Sequence, residues 1–357
     1  MSPLGAEEPP VTTIPTRWVG PIRVTGAVDE EVEVPLATYE TPLWPSVARG
    51  ARVSREAGGI HVSIVDERMT RSVLLTARDA ASADAASRAI DARLGELQLV
   101  VSAQSRHARL LEARSEIVGN LLFVRFAFTT GDASGHNMVT SASDALLRTI
   151  LSWGLAVEYG SVSGNYCSDK KATVVNGVLG RGRRALADIL IPHDVVAGTL
   201  RTSTARLTDL VTRKNLVGST LAGALRSANA HYANMLLALY LATGQDAANI
   251  VEGSQGITYA ETRDEGLYFS CTLPHLIVGT VGNGKHLPHV ERALTRLGCR
   301  EEREPGANAR RLAAITAATV LCGELSLLAA QTNPGELMAA HTVLERGGAR
   351  PAREDER

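Results

Sequence analysis

The chain has 357 residues, 45% of them apolar and 21% charged, with 37 basic against 38 acidic side chains and a net charge of −1. That length holds one large domain or two ordinary ones with ample core, and the balanced charge gives no ground for a nucleic-acid or membrane-surface partner. The four cysteines (Cys167, Cys271, Cys299 and Cys322) form no C-x-x-C pair, which argues against a zinc site or a disulfide framework and suits a reducing, cytoplasmic setting.

Residues 1–18 are proline-rich and acidic, with neither the basic nor the apolar region of a signal peptide, and are expected to form a flexible arm. PIRVTGAVDEEVEVPLATYE predicts two strands around a turn, and SVARGARVSREAGG a helix stopped by paired glycines. From about residue 73 the order is strand (SVLLTA), alanine-rich helix (DAASADAASRAIDARLGEL), strand (QLVVSAQS), very apolar strand (LLFVRFAFTT) and amphipathic helix (NMVTSASDALLRTILSWGL). Such an order is that of a small α+β unit. Beyond 163 helices are expected to dominate, at 217–242, about 306–331 and 334–346, the last two separated by Asn333-Pro334-Gly335. The longest helical apolar run read from the sequence, MLLALYLA, is far too short for a bilayer. The expected class is therefore α/β (α+β), with a large mixed domain over 19–72 and 162–332 and a small domain inserted at 73–161. A flap at 333–347 and a disordered tail at 348–357 follow.

Several segments carry chemistry. GRGRRA fits only a loose dinucleotide fingerprint, and its arginines would crowd a pyrophosphate. GTVGNGK is either a hairpin turn or a loop that lets backbone approach a ligand. GDASGHNM, between a strand and a helix, is either a turn capped by Asp132 or an exposed helix N-terminus that favours phosphate. His231 and Asn234 fall on one helix face, and Asp246 at that helix's C-terminal end, where a carboxylate is disfavoured. No metal site is expected, because the H-x-x-H of His286 and His289 lacks companion ligands. SGNYCSDKKA, residues 163–172, sets polar side chains and two lysines together without apolar periodicity.

Taken in order, D-A-x-G-x-N-M, S-G-N-Y-C-x-D-K-K, K-N-L-V-G-S, G-Q-D-A-A and G-T-V-G-x-G resemble the 3-hydroxy-3-methylglutaryl-CoA (HMG-CoA) reductase family from about Gly20 to Arg346. The resemblance implies a ferredoxin-like small domain that binds NADP(H), HMG-CoA as substrate, a homodimer or dimer of dimers, and four-electron reduction to mevalonate and CoA. The alternatives it leaves are oxidative use of NAD, another 3-hydroxyacyl-CoA, or a non-catalytic relative that binds acyl-CoA. It implies catalytic roles for Glu40, Lys170, Asp246 and His341. Arg71, Ser163, Asn165, Asp169, Lys171, Lys214 and Asn234 would hold the acyl portion, and Arg49, His231 and Arg201 the CoA. For the cofactor it implies Ser105 and Arg106 at the 2′-phosphate. Asp132, Ala133, Ser134, Gly135, His136, Asn137 and Met138 would form the nicotinamide-dinucleotide loop, faced by Thr280, Val281 and Gly282, with Arg346 nearby. Glu40 and Asp246 are expected as neighbours on one side of a subunit boundary, with the cofactor domain on the other. Thr41, Ala48, His136 and Asn283 depart from the family's usual residues, and the helical region that precedes Gly20 in many relatives has no counterpart.

Overall fold

Inward Val32 and Val34 alternate with outward Glu31 and Glu33, which gives the first half of residues 30–37 the pattern of a strand with one wet face, while residues 34–37 are all buried. In the computed structural model, which describes residues 12–342, this strand, β2 (Glu30–Ala37), pairs antiparallel with β1 (Thr16–Gly26). β1 runs parallel to β3 (Ile60–Ala77), an 18-residue strand about which the molecule is organised. At the usual rise β3 is roughly 60 Å long, enough to serve two sets of partners. Its first half pairs with β7 (Gly182–Pro192). Its second half pairs with β5 (Leu121–Thr129), which also pairs with β4 (Arg109–Val118), and with β6 (Val157–Ser161). Beyond β7 the sheet continues through β10 (Gly266–Leu276), β9 (Gly256–Arg263) and the two-residue β8 (Ser227–Ala228), in the order β2-β1-β3-β7-β10-β9-β8. The fold is mixed α/β, as expected.

Seven helices matter for the site: α1 (Leu43–Glu56), α2 (Ala80–Ala92), α3 (Leu94–Gln104), α4 (His136–Leu151), α5 (Tyr232–Ala242), α6 (Ala307–Gln331) and α7 (Glu336–His341). Buried side chains gather in two clusters. One joins α1, α5 and α6 to β1, β2, β7 and β10; the other joins α2, α3 and α4 to β4, β5 and the far end of β3. α6 runs through the first core, and its most apolar stretch is 94% buried inside the protein. It is the one helix among the described residues long and apolar enough to cross a membrane, so 235–242 is not the longest apolar helix.

Three expectations change. QLVVSAQS is not a strand: Leu94, Leu97 and Val101 lie three and four residues apart on the packed face of helix α3. Strands β7, β9 and β10 were hidden among expected helices. In β7 the inward residues Ala185 and Ala187 are small while the outward Leu190 is large, so hydropathy does not alternate. The helix expected over 217–242 is broken by Gly223 and Arg226, both at positive φ, and a short turn of helix at Ser219–Leu221 and α5 survive of it.

α1 and α6 cross at near backbone contact, since a Cβ on Gly50 would lie 2.2 Å from the Cys322 carbonyl oxygen. Gly50→Ala is therefore expected to destabilise the fold by about 1–3 kcal/mol, seen as a lower urea midpoint with an unchanged m-value.

Candidate active site

The polar loop 163–172 leaves β6 and returns beneath the middle of β3. Gly164 is required because a Cβ there would lie 2.8 Å from Ser72 Oγ. Ser72 also anchors the loop, accepting the Gly164 N–H at its carbonyl (2.9 Å) and the Tyr166 N–H at its hydroxyl (3.0 Å). Asn165, Ser168 and Lys170 all have positive φ, a conformation that costs non-glycine residues about 1–3 kcal/mol each and needs surrounding structure to hold it.

That structure is an ion network. Arg181, 1% exposed, donates to Glu252 (2.9 Å), to Asp169 (2.5 Å) and to the Thr70 carbonyl (2.7 Å). Glu252, fully buried on the short helix Ile250–Gly253, also accepts the Lys170 backbone N–H (3.3 Å). Burial lifts its carboxyl above the ordinary value against the pull of Arg181. The loop is thereby clamped between β3, the residue leading into β7 and the segment after G-Q-D-A-A.

Held so, Lys170 places Nζ 2.7 Å from Asp246. The bond raises the Lys170 ammonium above its ordinary value, although burial opposes it. Burial likewise opposes ionisation of Asp246, but Lys170 and the Ala248 N–H hold its carboxyl below the usual range. Asp246 is not at the end of α5: it caps the following turn, Ala247–Asn249, where a carboxylate is favoured. His136 Nε2 lies 3.6 Å from Asp169, and burial, then Arg181, lowers its pKa, so the ring is neutral near pH 7.

These groups line a cleft of about 420 Å³ with Arg71, residues 133–138, Val281, Gly282 and Lys285. Gly135 begins α4 at a φ of 95°, and no side chain caps the helix N–H groups. The facing loop is neither hairpin nor isolated turn. A Cβ on Gly279 would lie 2.3 Å from the Ser134 nitrogen, Thr280 donates to the Asp132 carbonyl (2.8 Å), and Ala133 bridges to Val281. The Asp132 carboxylate caps neither its own helix nor the cleft; it accepts the Gly306 and Ala309 N–H groups at the start of α6. Arg183 ties both loops together through the Gly131 and Val278 carbonyls.

Glu40 stands elsewhere. It accepts a hydrogen bond from Asn234 (2.9 Å) and lines a second cleft, of about 440 Å³, with Arg49, His231, Ser326 and Glu336. The two clefts share no residue, so the expected contact between Glu40 and Asp246 is not made within one chain, and Asp246 belongs with the 133–138 loop. His231 precedes α5 as its cap, yet donates from Nε2 to the Gly323 carbonyl (2.9 Å) and remains beside Asn234 in that cleft. Arg49 pairs with Glu336 of α7 (2.7 Å), and Arg201 adjoins it in a surface groove with Arg52.

Of the remaining expected residues, Ser163 lies 3.5 Å from Arg71, which is anchored on Thr140 (2.7 Å). Lys171 is exposed, and burial lowers the pKa of Lys214 on the segment Val211–Gly218. Ser105 and Arg106 form the turn after α3 and are not among the residues lining the cleft. His341 ends α7, but its side chain, like Arg346, lies outside the described residues. Sequence reading missed Arg181, Arg183, Glu252 and Lys285. The arginines were visible in GRGRRA but were weighed only as obstacles to a pyrophosphate.

A family model described as hydroxymethylglutaryl-coenzyme A reductase matches residues 10–346. The 3-hydroxy-3-methylglutaryl-coenzyme A reductase of Aeropyrum pernix is 41% identical over 350 residues, covering 97% of this chain and 82% of that protein. The one from Pyrococcus abyssi is 42% identical over 340 residues, covering 94% and 83%. Among solved structures, 3-hydroxy-3-methylglutaryl-coenzyme A reductase of Streptococcus pneumoniae aligns with a TM-score of 0.69 at 22% identity, over 90% of this chain and 86% of that one. A class II form from the same organism, bound to NADPH in open conformations, aligns at 0.68 over 92% and 88%. At that identity the likeness speaks for the fold alone.

Removing the buried guanidinium leaves two carboxylates uncompensated. Arg181→Met is expected to lower stability by about 3–5 kcal/mol, measured by urea unfolding, and a loss under about 1 kcal/mol would show that the network does not hold the loop.

Proposed function

The chain belongs to the hydroxymethylglutaryl-coenzyme A reductase family, and from that premise we propose that it reduces HMG-CoA with NADPH to mevalonate and free CoA. The observation that carries the reading is the Lys170–Asp246 pair, set in one cleft beside the uncapped N-terminus of α4. The cleft fits a dinucleotide. The helix N–H groups favour phosphate, Gly135 and Gly279 bring backbone close, and a Cβ on Gly282 would meet nothing within 4 Å. Residues 133–138 and 280–282 would hold the cofactor, with the domain 73–161 as its platform; when bound it would supply hydride.

Each reduction places negative charge on the substrate oxygen, first in a hemithioacetal and then in an alcohol. Lys170 stabilises that charge as a fixed ammonium, kept protonated and oriented by Asp246. Arg71 offers the acyl carboxylate a cation. The basic groove of Arg49, Arg52 and Arg201 suits the phosphates of CoA. Glu40 supplies the proton to the alkoxide, and His341 protonates the departing thiolate.

Since Glu40 and Lys170 line separate clefts, we infer a homodimer in which one subunit's Glu40 cleft meets the other's Lys170 cleft. Support comes from exposed apolar residues in the segments that follow each half of the ion pair: Val174 and Val178 after Lys170, and Val251 after Asp246. The Arg49–Glu336 pair, by this reading, holds α7 over the CoA side until a ligand phosphate competes for the arginine.

Purified protein given HMG-CoA is expected to oxidise about two NADPH per thiol released, with Lys170→Ala slower by at least about 100-fold. A ratio near one, or a variant of undiminished rate, would contradict the assignment.

A further inference from the structure

Lys285 is only 6% exposed and lies in the wall of the Lys170 cleft. Its Nζ donates to the Gly244 carbonyl. Among the described residues it makes no ion pair, and the nearby carboxylates are taken: Asp246 by Lys170, Asp169 by Arg181 and Glu291 by Arg300. Burial, then the Arg300 charge, pushes the ammonium down to about 8. A buried cation without a counter-ion is costly. This one is rigidly held, because Arg300 donates to the carbonyls of Thr280 (2.5 Å) and of Lys285 itself (2.9 Å).

Two features say what would complete it. The loop that carries Lys285 packs against residues 132–134, so the ammonium and the uncapped N–H groups of α4 border the same space, and both favour an anion. The cleft also continues outward past Val281, Gly282 and Lys285 into a groove with His286 and Arg300. An extended dinucleotide fills such a path, whereas a compact acyl carboxylate does not need it. We propose that Lys285 binds a phosphate of the cofactor's pyrophosphate, across the cleft from the start of α4. The inference rests on the reading that this cleft takes a nicotinamide dinucleotide.

Equilibrium binding of NADPH, NADH and HMG-CoA to wild type, Lys285→Gln and Lys285→Arg tests it. Both variants retain a donor for the Gly244 carbonyl, and urea midpoints check that they fold. The expected result for Lys285→Gln is about tenfold weaker binding of NADPH and NADH alike, with HMG-CoA affinity unchanged. Lys285→Arg should stay within about threefold of wild type for all three ligands. Unchanged NADPH affinity in Lys285→Gln would overturn the proposal. So would a loss confined to NADPH, which points to the 2′-phosphate, an equal loss for HMG-CoA, which makes Lys285 a prop for the Gly244 turn, or equal losses in the Arg and Gln variants. A wild-type protein that binds neither dinucleotide would overturn the cofactor reading itself, and shows in the wild-type titration alone.

Discussion

One buried guanidinium holds the candidate active site in shape. Arg181 reaches three acceptors on three different segments, Glu252, Asp169 and Thr70, and all three bear on the loop that carries Lys170. Without it the fully buried Glu252 would have no cationic partner among the described residues, and a loop with three non-glycine residues at positive φ would have little to resist relaxation. Lys170 is thus positioned by its backbone, through Glu252, before its side chain meets Asp246. A flexible lysine becomes a fixed charge, which is what the proposed oxyanion role requires.

Charge placement around the cleft follows the same logic. Asp169 is neutralised by Arg181 rather than by Lys170 or His136, and the neutral His136 does not compete for it. Lys170 therefore keeps Asp246 as its own partner. Arg183, from the same G-R-G-R-R-A segment, ties the 131–135 loop to the 278–285 loop, so two arginines two residues apart serve different walls of the cleft. Asp132 couples that loop to the N-terminus of α6, and so fastens the candidate cofactor side to the central helix of the larger core.

Much of this was legible in the sequence, for identifiable reasons. The alternation in E-V-E-V-P-L-A and the apolar run L-L-F-V-R-F-A-F-T each follow from one-sided or two-sided burial, and both strands form where the pattern puts them. S-G-N-Y-C-S-D-K-K and G-Q-D-A-A marked Lys170 and Asp246, which the fold brings to 2.7 Å. What stayed hidden depends on tertiary contact. Nothing local says that Arg181 is buried or that Glu252, in an apolar stretch, is its counter-ion. The small inward alanines of β7 erased its period, and the broken stretch before α5 turns on positive φ at Arg226, which no periodicity reports.

The family resemblance implied Glu40 and Asp246 as neighbours, but they lie in different clefts of one chain. The proposed chemistry needs both, so a second copy must bring them together. A mixed dimer of Glu40→Ala and Lys170→Ala chains, purified through a different tag on each, measures this directly. Each homodimer should be inactive, while the mixed dimer holds one intact site of two and should recover about half the wild-type activity. A mixed dimer as inactive as its parents would contradict a site shared between subunits.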